Sequence, residues 1–233
     1  MISEIFIILI SYAFGIILNI LIIVLPEKQT INIYLKSIKF NTLVSKQYII
    51  ICILTSVLTY LMFIKLGVSL KFLYMSILSY LFIVLSFIDL KYKGVPDYLL
   101  IVCLFLSFFT SNLSFSKTIL NACILAGGIV LLNFIITFYI QNIKAKITKN
   151  SKLKKQQALG EADIIIFAIF GIILGIESGL FAVVLASIIA IIPSLYFTIR
   201  KKSISIPFIP YLIMGFYTEY FLNIRTMLGI EFY

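Results

Sequence analysis

The chain has 233 residues; 62% are apolar and 12% are charged, and the mean hydropathy is +1.17. An ordinary globular domain is about 45–50% apolar and about 25% charged, so a soluble enzyme, a disordered chain and a nucleic-acid binder all fall away as classes. The net charge of +10 is then read as lysines in loops facing an anionic membrane leaflet, with no nucleic-acid partner.

A membrane-crossing helix needs about 20 apolar residues. In chain order the candidates are roughly 3–25, 48–64, 72–88, 98–112, 118–140, 163–176, 179–199 and 206–223. The fourth and sixth are short. The sixth and seventh form one apolar run, broken at Glu177-Ser178-Gly179, which is read as a tight external turn. Residues 1–25 lack the basic start and the A-x-A site of a signal peptide, so they are expected to be a retained span. Residues 27–47 form a short first loop. In it Ile31, Tyr34, Leu35 and Ile38 fall at helical spacing, which suggests an interfacial helix. Residues 141–160 are a polar, lysine-rich loop.

Basic residues orient the spans. Fifteen of nineteen fall in the loops after spans 1, 3, 5 and 7, ending with Arg200, Lys201 and Lys202. Only Lys65, Lys71, Lys117 and Arg225 fall on the other side. The positive-inside rule puts the fifteen in the cytoplasm and both termini outside. The expected fold class is all-α: a polytopic membrane protein of about eight transmembrane helices, with residues 1–233 as one membrane-embedded domain.

The chemistry is narrowed by what is missing. There is no His, hence no Ser-His-Asp triad, Cys-His pair or HExxH zinc site. Cys52, Cys103 and Cys123 are far apart and form no CxxC, so neither a metal site nor a disulfide framework is expected. Hydrolysis would fall to the nine carboxylates, with a Ser-Lys dyad as the obvious competitor.

All three aspartates fall at cytoplasmic ends of spans. Asp89 ends the third, Asp97 precedes the fourth in Gly94-Val95-Pro96-Asp97, and Asp163 opens the sixth in Gly160-Glu161-Ala162-Asp163. Two carboxylates sharing one site cannot both ionise easily, so one keeps a proton while the other is charged. Such a pair can activate water and polarise a peptide carbonyl. The competing reading is structural: an Asp before an apolar helix is often an N-cap, and Pro-Asp often marks a helix start. Glu161 is either a neighbour that tunes Asp163 or a solvent-facing loop acid. Glu219 is the only acid well inside a span, though near its external end. Gly171, Gly175 and Gly179 form a small-xxx-small pattern, read as helix packing. Asn19, Asn121, Asn133 and Asn223 are read as interhelical hydrogen-bonding residues.

These segments resemble type IV prepilin leader peptidases, which are GxGD membrane aspartyl proteases. Asp89-Leu90-Lys91-Tyr92-Lys93-Gly94-Val95-Pro96-Asp97 is similar to their D-x5-[IVL]-P-[ND] segment. Gly160-Glu161-Ala162-Asp163 is similar to GxGD. Gly15-Ile16-Ile17-Leu18-Asn19, running on to Leu25-Pro26, resembles the first-span pattern. Ile206-Pro207-Phe208-Ile209-Pro210-Tyr211 resembles a late [IV]-P-[FY]-x-P-[FY] segment. The four occur in the family's order and span nearly the whole chain.

The resemblance implies that Asp89 and Asp163 are the catalytic pair, supported by Gly160, Glu161, Ala162, Pro96 and Asp97. It implies removal of a short basic leader from prepilin-like precursors, at the cytoplasmic face of the inner membrane, in type IV pilus assembly or protein secretion. Gly160 would let the backbone pass close to the substrate or another span. Three departures stand out. Ala162 replaces a Gly, no Arg precedes Pro26, and residues 27–47 lack the four-cysteine domain of many bacterial members. Those bifunctional members also N-methylate the mature pilin. Proteolysis needs no cofactor; S-adenosylmethionine would be one only if methylation is retained. The alternatives are another GxGD protease, such as a preflagellin peptidase, or a non-enzymatic transporter or scaffold. Its partners would be precursor proteins and membrane lipids.

Overall fold

A computed structural model of the protein describes residues 2–27, 46–148, 153–154, 159–199 and 207–229. Most of the first loop, part of the lysine-rich loop and the Arg200–Lys202 cluster lie outside these residues. So does the expected interfacial helix.

The described residues form helices and connecting turns, with no strand. Lipid offers the backbone no hydrogen-bond partner, so an apolar chain must satisfy its amides within each helix. The elements are α1 (Ile2–Glu27), α2 (Lys46–Leu66), α3 (Leu70–Tyr92), α4 (Asp97–Phe108), α5 (Phe115–Ile147), α6 (Glu161–Ile199), α7 (Ile209–Leu222) and the single turn α8 (Ile224–Met227). Five of them, α1, α2, α3, α5 and α6, are long and apolar enough to cross a membrane; α4 is a shorter apolar helix.

Two boundaries differ from the sequence reading. Helix α5 continues to Ile147, through a π-helical turn at Tyr139–Lys144, into the segment read as a loop. The break in α6 is at Gly175, not at Glu177–Gly179. Gly175 has φ 80° and ψ −178°, a region essentially restricted to glycine. The chain doubles back there. A Cβ on Gly179 would lie 3.5 Å from the Phe170 carbonyl, whereas residues nine apart on a straight helix are separated by about 13.5 Å. Thus α6 is two arms, 161–174 and 176–199. The flanking glycines serve close packing, as expected. A Cβ on Gly171 would meet the Asn121 carbonyl oxygen of α5 at 2.6 Å, and one on Gly179 would meet the Leu125 side chain at 2.5 Å.

Helix α3 is the axis of the bundle. It touches α1, α2, α4 and α7, while α6 joins α4, α5 and α7. Its buried face runs from Met75 through Phe82 and Leu85 to Ile88 and ends on Asp89. By contrast α5 turns Leu131, Phe134 and Ile135 outward, the pattern of a lipid-facing helix. All three cysteines are free thiols.

Candidate active site

Three helix ends meet at one end of the bundle: the C-terminus of α3 and the N-termini of α6 and α7. Helix α3 closes with Lys93 in the left-handed conformation (φ 55°), its N–H bonded to the Asp89 carbonyl at 2.9 Å. The chain then turns through Gly94 and Pro96 into α4. Beside this turn lies a cavity of about 540 Å³. Its wall comes from Asp89, from the turn between Lys93 and Asp97, from residues 159–163 and from residues 207–209.

Asp89 and Asp163 line this cavity, each only 7% exposed. Their charges are close enough to interact. Each is held by one oxygen. Oδ2 of Asp89 accepts the Ile209 N–H at 3.2 Å, from the first residue of α7. Oδ2 of Asp163 accepts the Gly160 N–H at 3.1 Å. The second contact is half of a capping box, with a third-position acid reaching back to the N-cap amide. The capping and reactive readings of Asp163 are therefore compatible. One oxygen secures the helix start, and the other has no partner among the described residues.

The 159–160 turn is itself anchored. The Asn133 side-chain carbonyl on α5 accepts the Leu159 N–H at 3.0 Å and also the Thr137 hydroxyl at 3.2 Å. The sequence marks Asn133 as an interhelical hydrogen-bonding residue but does not name its partner. The contact joins positions 26 residues apart, and no local pattern announces it. The backbone donor at Ile209 was equally hidden, although the Pro-Phe-x-Pro segment around it was noted. Asn19 behaves differently from the expectation, bonding back to the Gly15 carbonyl within α1.

Beneath the acids, three rings lock the same three helices. Phe216 stacks on Phe170 with centroids 5.1 Å apart and meets the edge of Phe82 at 5.6 Å. Phe82, Phe170 and Phe216 each lie seven residues from Asp89, Asp163 and Ile209 respectively. Two helical turns place a residue on the same face, about 10 Å along the axis. The rings are therefore a floor under the cavity.

The other candidate residues occupy defined places. Asp97 and Glu161 are exposed on the cavity wall and hydrogen-bond to no described residue. Asp97 does not cap α4: Pro96 is the N-cap, and no side chain bonds there. Pro96 shapes the turn and stands outside the wall, whereas Ala162 lies in it. Gly160 makes no close approach to another span. A Cβ there would meet only the Asp163 carboxylate, at 3.5 Å. Four of the chain's nine acids thus line one cavity, and among the described residues Lys93 is the single cation in its wall. Among the described residues, no group of three or more acids or cysteines has an arrangement suited to a metal ion. Glu219, fully buried, is remote from this site and accepts the Arg225 N–H at 3.2 Å.

No curated protein and no solved structure matches the chain. Residues 76–195 match the sequence model of the type IV leader peptidase family. This stretch, just over half the chain, includes Asp89, Asp97 and the 160–163 turn. With its long apolar helices and this match, the protein is a multi-pass membrane peptidase and belongs to the type IV leader peptidase family.

Proposed function

We propose that the protein is an aspartyl endopeptidase that removes the short basic leader of type IV prepilin-like precursors. Asp89 and Asp163 are the catalytic pair in this reading. The observation that carries it is the convergence of these two buried carboxylates, from helix ends 74 residues apart in sequence, on one open cavity. One carboxylate is ionised and the other protonated. The ionised group takes a proton from water as the water oxygen attacks the peptide carbonyl. The protonated group donates to the carbonyl oxygen. Collapse of the tetrahedral intermediate expels the new amine, which takes the proton held by the first carboxylate, while a hydroxyl of the diol returns its proton to the second. Asp97 and Glu161 give the wall a negative charge suited to a basic leader. Gly160 and Ala162 stand at the start of α6 beside Asp163, and Pro96 shapes the turn between the helix that carries Asp89 and Asp97.

The basic loops following α1, α3, α5 and α6 support a reading in which this end of the bundle faces the cytoplasm across the inner membrane. Eight crossings with both termini outside are consistent with the doubling back at Gly175. A transporter would place its ionisable groups near the midplane. The acid pair instead sits at helix ends, within reach of a cytoplasmic leader. Methylation with S-adenosylmethionine forms no part of this proposal.

The test is co-expression with a pilin-like precursor, read by intact mass. Leader loss with wild type and Asp97→Ala, and with neither Asp89→Ala nor Asp163→Ala, is the expected result. Cleavage surviving both of the latter substitutions rules out the mechanism.

A further inference from the structure

A second polar cavity lies at the opposite end of the bundle. Lys71 opens α3 and Asp89 nearly closes it, which separates the two sites by about 27 Å along the helix. The cavity, of about 270 Å³, is walled by Lys65, Lys71, Asn112, Ser178, Tyr220 and Asn223 together with three aliphatic side chains, and among the described residues no carboxylate lines it. Five separate stretches of chain build this corner: the end of α2, the start of α3, the turn after α4, the α6 hairpin and the end of α7.

Its hydrogen-bonding character is one-sided. Lysine ammonium groups only donate. The Lys71 ammonium donates to Oδ1 of Asn112, so the Asn112 amide N–H₂ is the group left over. The Ser178 hydroxyl oxygen accepts Nε–H of Arg225 at 3.2 Å, leaving its O–H to donate. Lys65 rests over the Tyr220 ring, 4.0 Å from the centroid, and gives one N–H to the Tyr220 carbonyl. Two of its three donors remain. Lys65 and Lys71 are close enough for their charges to repel one another, and Glu219, outside the wall, is close enough to attract Lys65.

We propose that this cavity binds a phosphate group. Its wall presents two positive charges together with amide and hydroxyl donors, and a tetrahedral oxyanion supplies several acceptors at once. At a membrane-protein helix end that phosphate belongs either to an anionic lipid headgroup or to soluble phosphate.

The purified full chain in maltoside micelles is titrated with short-chain phosphatidylglycerol, short-chain diacylglycerol or inorganic phosphate. The melting midpoint and the ligand adducts retained in native mass spectra are read. Phosphatidylglycerol is expected to raise the midpoint and give one tight adduct, and diacylglycerol to do neither. An equal rise with inorganic phosphate supports the same site and assigns its ligand to solution. Asn112→Asp keeps an acceptor for Lys71 but adds a negative charge to the wall. It should weaken binding about tenfold or more, and Lys71→Gln should act in the same direction. Either variant suffices if the other does not fold. Phosphatidylglycerol and diacylglycerol acting alike while phosphate is inert overturns the site, as does a wild-type response from the folded variants.

Discussion

The Asp89 carboxylate accepts the backbone N–H of Ile209 across 120 residues of chain, at 3.2 Å. This bond fixes where α7 begins relative to the end of α3. The other Asp89 oxygen has no hydrogen-bond partner among the described residues, and the residue lines the cavity shared with Asp163. The donor is a main-chain amide at a helix start, where such groups lack helical partners.

This arrangement separates charge from shape. Asp89→Asn and Asp163→Asn each keep a side-chain oxygen for the backbone N–H. Leader cleavage should fall by about 10²–10⁴-fold or more in each, with melting midpoints close to wild type. The alanine variants should lose cleavage and also melt lower, because a buried amide is left without a partner. Parallel melting curves and cleavage rates check both statements.

Asn133 acts at one remove, through Leu159 and Gly160. Asn133→Leu should lower kcat by about ten- to a hundredfold, the scale of a small misplacement of a reacting group, with little change in KM. Asn133→Asp retains an acceptor for the Leu159 N–H and should restore most of the rate. A loss of expression with normal kcat in Asn133→Leu would show a purely structural contact.

Asp97 and Glu161 are exposed and bonded to no described residue, so neither should matter for folding. Asp97→Asn and Glu161→Gln should raise KM for a precursor with a basic leader and leave kcat nearly unchanged. A precursor whose leader lysines are replaced by glutamine should show no such difference.

The glycines divide sharply. Gly175→Ala forces a side chain into a glycine-only conformation and should cost about 1–3 kcal/mol. Gly171→Ala should also destabilise, since its Cβ would meet a backbone carbonyl at 2.6 Å. Gly127 and Gly128 have nothing within 4 Å of an added Cβ. Alanine at either should be neutral or stabilising by about 0.5–1 kcal/mol. Thermal melting in one detergent compares all four.

Much of this was legible in the sequence because its causes are local. Apolar runs marked the helices, and the acids at their ends could be read directly. The hairpin was expected within a few residues of its place; its position shifted to Gly175 because backbone conformation, not polarity, decides where a helix can reverse. Other features depend on which helix ends come together. That Asp89 and Asp163 share a cavity, that Ile209 and Gly160 supply their fixing donors, and that Asn133 holds the 159–160 turn all depend on packing. The reason is geometric. A helix pattern specifies a face and a length, while the neighbours of a side chain are set by the crossing of distant helices. The stacking of Phe82, Phe170 and Phe216 beneath the site does part of that setting here.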